Sequence, residues 1–505
     1  MSSVTAPLGA DGAAEATAQQ QPTEQPKDQT QQTKPEEKPE EPPVVTAHEV
    51  KVGGKSLRYH VTTGLMPIKN EVGETEARLF YMAYTLDSPE GDPKRPLMFS
   101  FNGGPGSSSV WLHLGALGPR RVRMHDEGWM PAPPFELVDN EHTWLDATDL
   151  VFIDPVDTGY SRATTPELAK QYKGVEKDIE SVGEFIRLYL TRSRRWSSPL
   201  FLVGESYGTF RSAGLAGHLI ERGVAFNGIV LVSSVLNMQT LRFTTGNDLP
   251  YVVYLPTYTA TAWYHNRLPK DLQKQKLADL LYEVEQFAAG EYTLALGKGD
   301  AIPERERKEV VAKVARYTGL DEEYVDQTHL RIQIHRFCKE LLRDEKRTVG
   351  RLDSRYTGLD AWGVTDQPDF DPSMAAIRPP FTAMLNDYVR RELNYENDAE
   401  YQILRGLDWD WGSAGDGHPD TSEALRGAFA KNQFLRLFVA SGYYDLATPY
   451  FATEYTLSHM NLDPSLRDNV RVEEYPVGHM VYLEQKALAK LKSDVVKFVE
   501  ESVKR

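Results

Sequence analysis

Residues 200–203, Leu-Phe-Leu-Val, run without a break into Gly204-Glu205-Ser206-Tyr207-Gly208 and then into a helix-compatible stretch from Thr209 to Glu221. No other part of the chain restricts the fold as much. A short apolar strand, a turn with glycine two residues before and two after a serine, and a helix make one supersecondary unit. The glycines permit the tight, strained turn that lifts a serine hydroxyl off the edge of a sheet. The five-residue pattern is weak alone, since Gly and Ser are common; the flanking strand and helix are the context it requires. Ser206 is therefore the candidate nucleophile.

The strand at 200–203 has companions. Residues 97–101, 150–153, 228–232 and 435–440 are likewise short apolar runs bounded by Gly, Asp, Pro or Ser, and read as buried strands. Between them Val175, Ile179, Val182, Ile186 and Leu190 recur at helical spacing. Alternating strands and helices predict an α/β protein with a doubly wound, mostly parallel sheet. The alternation stops after about Leu236, and helical, charge-rich segments at 269–285, 303–317, 321–326 and 328–345 take over. The chain thus divides into a first α/β part at 44–237, a helical cap insertion at 238–380 and a second α/β part at 381–505. Residues 1–43 hold seven Gln, seven Pro and no aromatic residue, so they cannot bury enough apolar surface to offset the entropy of ordering; they read as a disordered tail.

A serine on such a turn needs an oxyanion hole, a base and an acid. The backbone N–H of Tyr207 is one oxyanion donor, and the loop Asn102-Gly103-Gly104-Pro105-Gly106 after the strand at 97–101 offers Gly104 as the second. A phosphate cradle fits that loop poorly, because no Lys-Ser/Thr follows it. In a hydrolase of this kind the acid and then the histidine come later in the chain. Asp445, just past the strand at 435–440, and His479, which closes the run 470–479 just past a strand, stand in that order at strand ends.

Charge and composition exclude other classes. With 57 Lys+Arg against 73 Asp+Glu the formal charge is −16 and no basic run offsets it, so nucleic acid is not an expected partner. The single cysteine, Cys338, rules out an internal disulfide and a cysteine-based zinc site; no metal or cofactor is expected, and Cys338 reads as a packing residue of the cap. The uncharged stretches near 96–119 and 223–241 contain too many turn formers and polar residues to be membrane spans. No secretory signal pattern opens the chain, which points to a cytoplasmic protein and leaves a periplasmic or secreted one open. Oligomeric state is not legible.

The motifs together resemble the serine carboxypeptidase family, the S10 peptidases of the α/β-hydrolase fold, in a disulfide-free, bacterial-type form. The resemblance rests on Asn102-Gly103-Gly104-Pro105-Gly106-Ser107-Ser108-Ser109, Leu117-Gly118-Pro119 and Asp154-Pro155-Val156-Asp157-Thr158-Gly159-Tyr160-Ser161. It also rests on Gly204-Glu205-Ser206-Tyr207-Gly208, Gly442-Tyr443-Tyr444-Asp445 with Pro449, and Gly478-His479-Met480-Val481. It implies a serine-type carboxypeptidase acting on peptides with a free C-terminus, with Ser206 as nucleophile, His479 as base and Asp445 as its orienter. It also implies that Asn102 and a protonated Glu205 receive the substrate's terminal carboxylate, which favours acidic pH.

Four positions depart from the family pattern: Ser100 replaces a Trp, Ala116 a second carboxylate-recognising Glu, Ser107 a Cys, and Tyr482 a Pro. Arg120 and Arg121, just beyond the same loop, are candidates for the donor missing at Ala116, but the plainer reading, solvated surface arginines, is the favoured one. An esterase, amidase or acyltransferase using the same three residues stays open, as does a catalytically silent binding protein.

Overall fold

In the computed structural model, residues 40–87, 92–412 and 418–504 are described. Glu40 onward forms one compact unit; the expected disordered tail lies, up to residue 39, outside the described residues. The main sheet contains β1 (Val44–Val52), β2 (Lys55–Lys69), β3 (Thr75–Leu86), β4 (Leu97–Phe101), β5 (Asp149–Ile153), β6 (Leu200–Ser206), β7 (Gly228–Ser234), β8 (Arg436–Gly442) and β9 (Val470–Tyr475). They lie side by side as β1-β2-β3-β5-β4-β6-β7-β8-β9, and a tenth, short strand, Arg162–Ala163, pairs with β3. From β5 to β9 every neighbouring pair is parallel. The sheet is the doubly wound one expected.

Parallel strands are buried on both faces, and β4, β5 and β7 have no exposed residue. Their side chains alternate between two cores. Met98, Phe152, Phe201, Val203, Val230 and Phe438 join one; Leu97, Phe99, Val151, Leu202, Ile229 and Leu437 join the other. A one-residue slip in register would exchange the two sets, so the pattern fixes the pairing. Each such side chain contributes about 1.5–3 kcal/mol on burial.

The antiparallel lead β1–β3 is not evident in the sequence. In β2, Gly64 and Pro67 interrupt what would otherwise read as a strand, yet they pair with Tyr81 and Arg78 of β3.

Helices α1 (Val175–Arg192) and α2 (Tyr207–Ile220) precede and follow β6, and the longer helices of the insertion include α3 (Leu249–Tyr264), α4 (Leu277–Phe287) and α5 (Glu304–Thr318). They share a core of their own, with Val253, Tyr258, Leu280, Val314 and the buried Cys338. The stretch 269–285 is two pieces, Lys270–Gln273 and α4, rather than one helix. Similarly 328–345 is helical only over Ile334–Glu340 and Arg343–Glu345, because His329 and Leu330 adopt positive φ.

A later helix, α6 (Pro372–Arg391), crosses the boundary drawn at 380. It buries Ile377, Phe381, Leu385 and Tyr388 in a core of the sheet rather than in the cap. Pro379 and Pro380 inside it hide the helix from a sequence reading. The last helix, α7 (Gln485–Val503), packs Phe498 against Phe201 and Phe438. Among the described residues no helix is long and apolar enough to cross a membrane.

Candidate active site

Ser206 ends β6 and caps α2 with φ 60° and ψ −129°, a region that costs a non-glycine residue about 1–3 kcal/mol unless its surroundings impose it. Here they do. A Cβ on Gly204 would lie 2.2 Å from the carbonyl oxygen of Gly208, and one on Gly208 would lie 2.8 Å from that of Phe101. Any side chain at either position would force the turn open. The Thr209 hydroxyl closes the turn, donating to the Ser206 carbonyl at 2.7 Å and accepting from the Val235 N–H at 2.8 Å.

The loop after β4 presses on this turn from the side. A Cβ on Gly103 would come within 2.4 Å of the Tyr207 backbone nitrogen, and Gly104 takes φ 100°. Tyr207 is the first residue of α2, so its N–H has no acceptor within the helix. The loop is held from below by Arg211, which is 1% exposed: it donates to the Asn102 carbonyl at 2.7 Å and to Asp178 of α1 at 2.8 Å.

On the other side of Ser206, β8 delivers Asp445 and β9 delivers His479. His479 Nδ1 lies 2.7 Å from Asp445 Oδ2. Asp445 Oδ1 accepts from the N–H groups of Ala447 and Thr448 at 2.7 and 3.0 Å, and Oδ2 from the Thr448 hydroxyl at 2.7 Å. The imidazole thereby has one orientation, with Nδ1 as donor and Nε2 left for the cavity. Burial alone would lower the His479 pKa, but the charge and hydrogen bond of Asp445, with help from Glu205, outweigh it and raise the pKa above the ordinary histidine value.

Glu205 and Asn102 meet beside Ser206. Asn102 Oδ1 accepts the Leu112 N–H at 3.1 Å, which fixes the amide and sends Nδ2 to Glu205 Oε1 at 3.0 Å. The Tyr482 hydroxyl donates to Glu205 Oε2 at 2.5 Å. Burial pushes the Glu205 carboxyl up to about 7, against the pull of His479, Tyr482 and Asn102.

Tyr482 was only a departure in the sequence. What makes room for it is Gly115, where a Cβ would lie 2.4 Å from the Tyr482 ring. A bulky residue gained at 482, next to a glycine and an alanine at 115–116, was the available signal.

Ser206, His479, Asn102, Gly104, Glu205 and Tyr207 all line one cavity of about 610 Å³, and Asp445 lies buried behind His479. Arg120 and Arg121 do not line it. Arg120 is spent on Asp139 and, at 2.9 Å, on Glu392. Neither arginine therefore supplies the donor for which the pair was a candidate. Among the described residues no group of three or more His, Cys, Asp or Glu could hold a metal ion.

The sequence profile described as "Serine carboxypeptidase" matches residues 54–481, most of the chain. The chain belongs to the serine carboxypeptidase family. Among its relatives, serine carboxypeptidase-like 9 of Arabidopsis thaliana is 24% identical over 259 residues, 49% of this chain and 54% of that protein. The pheromone-processing carboxypeptidase of Saccharomyces cerevisiae is 28% identical over 155 residues, 28% of this chain and 20% of its own length. The chain spans about half the length of the Arabidopsis relatives it matches. A crystal structure of a prohormone-processing carboxypeptidase from the same yeast matches with a TM-score of 0.52 at 16% identity, covering 88% of this chain and 91% of that one. That likeness establishes the α/β-hydrolase fold for this serine carboxypeptidase family member.

Proposed function

We propose that the chain is a serine-type carboxypeptidase that removes the last residue of peptides with a free C-terminus. The observation that carries this is the buried Glu205 carboxyl, pushed up to about 7 and hydrogen-bonded to Asn102, directly before Ser206. A neutral carboxyl beside an amide N–H₂ offers donors to a substrate carboxylate, where an ionised one would repel it. With the terminal carboxylate held there, Ser206 Oγ attacks the last peptide carbonyl while His479 takes its proton. The N–H groups of Gly104 and Tyr207 receive the oxyanion, and the departing amino acid takes the proton back from His479. Water then repeats the sequence on the acyl-enzyme and frees the shortened peptide. Tyr482 acts one layer back, as a positioning residue that holds Glu205.

The test compares a peptide acid with its matched amide and ester. On the peptide acid, kcat/KM should fall about tenfold per pH unit above pH 7, because Glu205 loses its proton through about 7. The ester, which presents no carboxylate, should lack that fall. Glu205→Gln keeps a donor at every pH and should remove the alkaline limb. An unchanged profile in that variant would contradict the mechanism, and turnover of the ester without the acid would point to an esterase on the same residues.

Tyr482→Phe should raise KM for peptide acids about 2- to 12-fold, the loss of one neutral hydrogen bond that positions the Glu205 carboxyl. It should also move the alkaline limb to higher pH, since the Tyr482 hydroxyl holds the Glu205 pKa down. A change in kcat alone with an unmoved limb would remove Tyr482 from carboxylate recognition.

A further inference from the structure

The cavity around Ser206 does not end at the site. A second cavity of about 410 Å³ continues from it toward the cap, sharing Leu241, Arg242, Arg351 and Ala447 with the first. Neither Asn102 nor Glu205 lines this annex. A peptide whose terminal carboxylate sits at Asn102 and Glu205 therefore has the annex available for residues upstream of the scissile bond.

The charge at the junction has one sign. Arg242 and Arg351 both stand there, and no carboxylate among the described residues lines the annex. In the first cavity the lining carboxyl is Glu205, whose raised pKa favours the neutral form below about pH 7. Arg405 also lines the first cavity, but it lies 3.6 Å from Asp157 and is offset by it. Arg242 and Arg351 have no ion-pair partner within 4 Å among the described residues. Arg242 is held over the Trp411 ring, 4.6 Å from its centroid.

Arg351 is anchored through its backbone: its N–H donates to Asp371 Oδ1 at 3.1 Å and its carbonyl accepts from Leu446 N–H at 3.0 Å. Asp371 Oδ1 also faces the N–H and hydroxyl of Ser373, so this carboxylate caps α6 rather than pairing with the guanidinium. Two guanidinium groups without an ion-pair partner, both lining a partly buried cleft of a protein with formal charge −16, suit an anionic side chain.

We infer that Arg242 and Arg351 form an acidic-side-chain subsite, so that this enzyme prefers peptides with Glu or Asp at the penultimate or preceding position. A guanidinium fork matches a carboxylate with two parallel hydrogen bonds. The inference rests on the carboxypeptidase reading for its direction along the substrate.

The experiment measures kcat/KM on matched peptide acids carrying Glu, Gln or Lys at the penultimate and antepenultimate positions. It uses the native protein, Arg242→Gln/Arg351→Gln, and the charge-keeping Arg242→Lys/Arg351→Lys. At one of the two positions the native Glu-to-Gln ratio should be about ten, with Lys below Gln, as for one partly screened charge-assisted hydrogen bond. The glutamine pair should bring the ratio near one and the lysine pair should keep most of it, which separates lost charge from lost folding.

A native ratio of one or less at both positions would overturn the subsite, as would an unchanged ratio in the glutamine pair. Fluorophosphonate labelling of Ser206 keeps the two proposals apart. If Ser206 labels but no peptide acid turns over, the carboxypeptidase reading fails. The same ratios are then measured on N-acyl-glutamyl and N-acyl-glutaminyl esters, where the acyl side alone is read.

Discussion

Ser206→Ala is expected to lower kcat/KM on peptide acids and esters by about 10⁵- to 10⁶-fold, the scale on which a serine nucleophile is lost from such a triad. The fold should survive the change. The φ of 60° at this position is imposed by the close approaches around Gly103, Gly204 and Gly208, and alanine meets the same backbone constraint as serine. The turn is closed by the Thr209 hydroxyl on the residue 206 carbonyl, a contact that alanine keeps. The comparison is made on protein whose thermal unfolding midpoint matches the native one, with the native enzyme's active sites titrated by a fluorophosphonate. Residual turnover within a hundredfold of native would mean that another residue is the nucleophile.

Asp445→Asn is expected to cost about 10⁴-fold in kcat at neutral pH, as when an orienting aspartate becomes an amide. Both oxygens of Asp445 act as acceptors: Oδ1 for two backbone N–H groups, Oδ2 for the Thr448 hydroxyl and His479 Nδ1. An asparagine has one acceptor oxygen. If that oxygen stays on the backbone N–H groups, its N–H₂ faces His479 Nδ1 and forces the proton onto Nε2, the nitrogen that must accept the serine proton.

The same substitution removes the influence that raises His479. The acid limb of the residual activity, where neutral histidine is required, should therefore move to lower pH. A kcat loss of less than a hundredfold, or an acid limb that stays in place, would mean that Asp445 does not orient the base.

How far the sequence carried depended on how local each signal was. The strand–turn–helix around Ser206 is written in adjacent residues, and the parallel strands betray themselves by unbroken apolar runs, so both were legible. Asp445 and His479 could be picked because each follows a strand. The antiparallel lead was hidden by Gly64 and Pro67, and α6 by Pro379 and Pro380, residues whose cost is met by tertiary packing that no local pattern reports.

Tyr482 was missed for a different reason. Its partner Glu205 and the small residue Gly115 that admits its ring are remote in sequence, so its contribution exists only once three segments meet. Arg120 teaches the same point: proximity along the chain to position 116 raised it as a candidate donor, while its actual partners, Asp139 and Glu392, are remote in sequence.

The order of the strands along the chain has a consequence for how the candidate site is assembled. Ser206 and its turn are made early, before the whole insertion, while Asp445 and His479 arrive on β8 and β9 after it. Residues from Glu40 onward form one compact unit, and domains fold as units, so Ser206 meets Asp445 and His479 only when the chain beyond the insertion has joined the sheet. His479 rides on β9, which pairs in the sheet with β8 alone. The candidate site is thus completed last, by a strand at one edge of the sheet, and displacing that strand would take His479 away from Asp445.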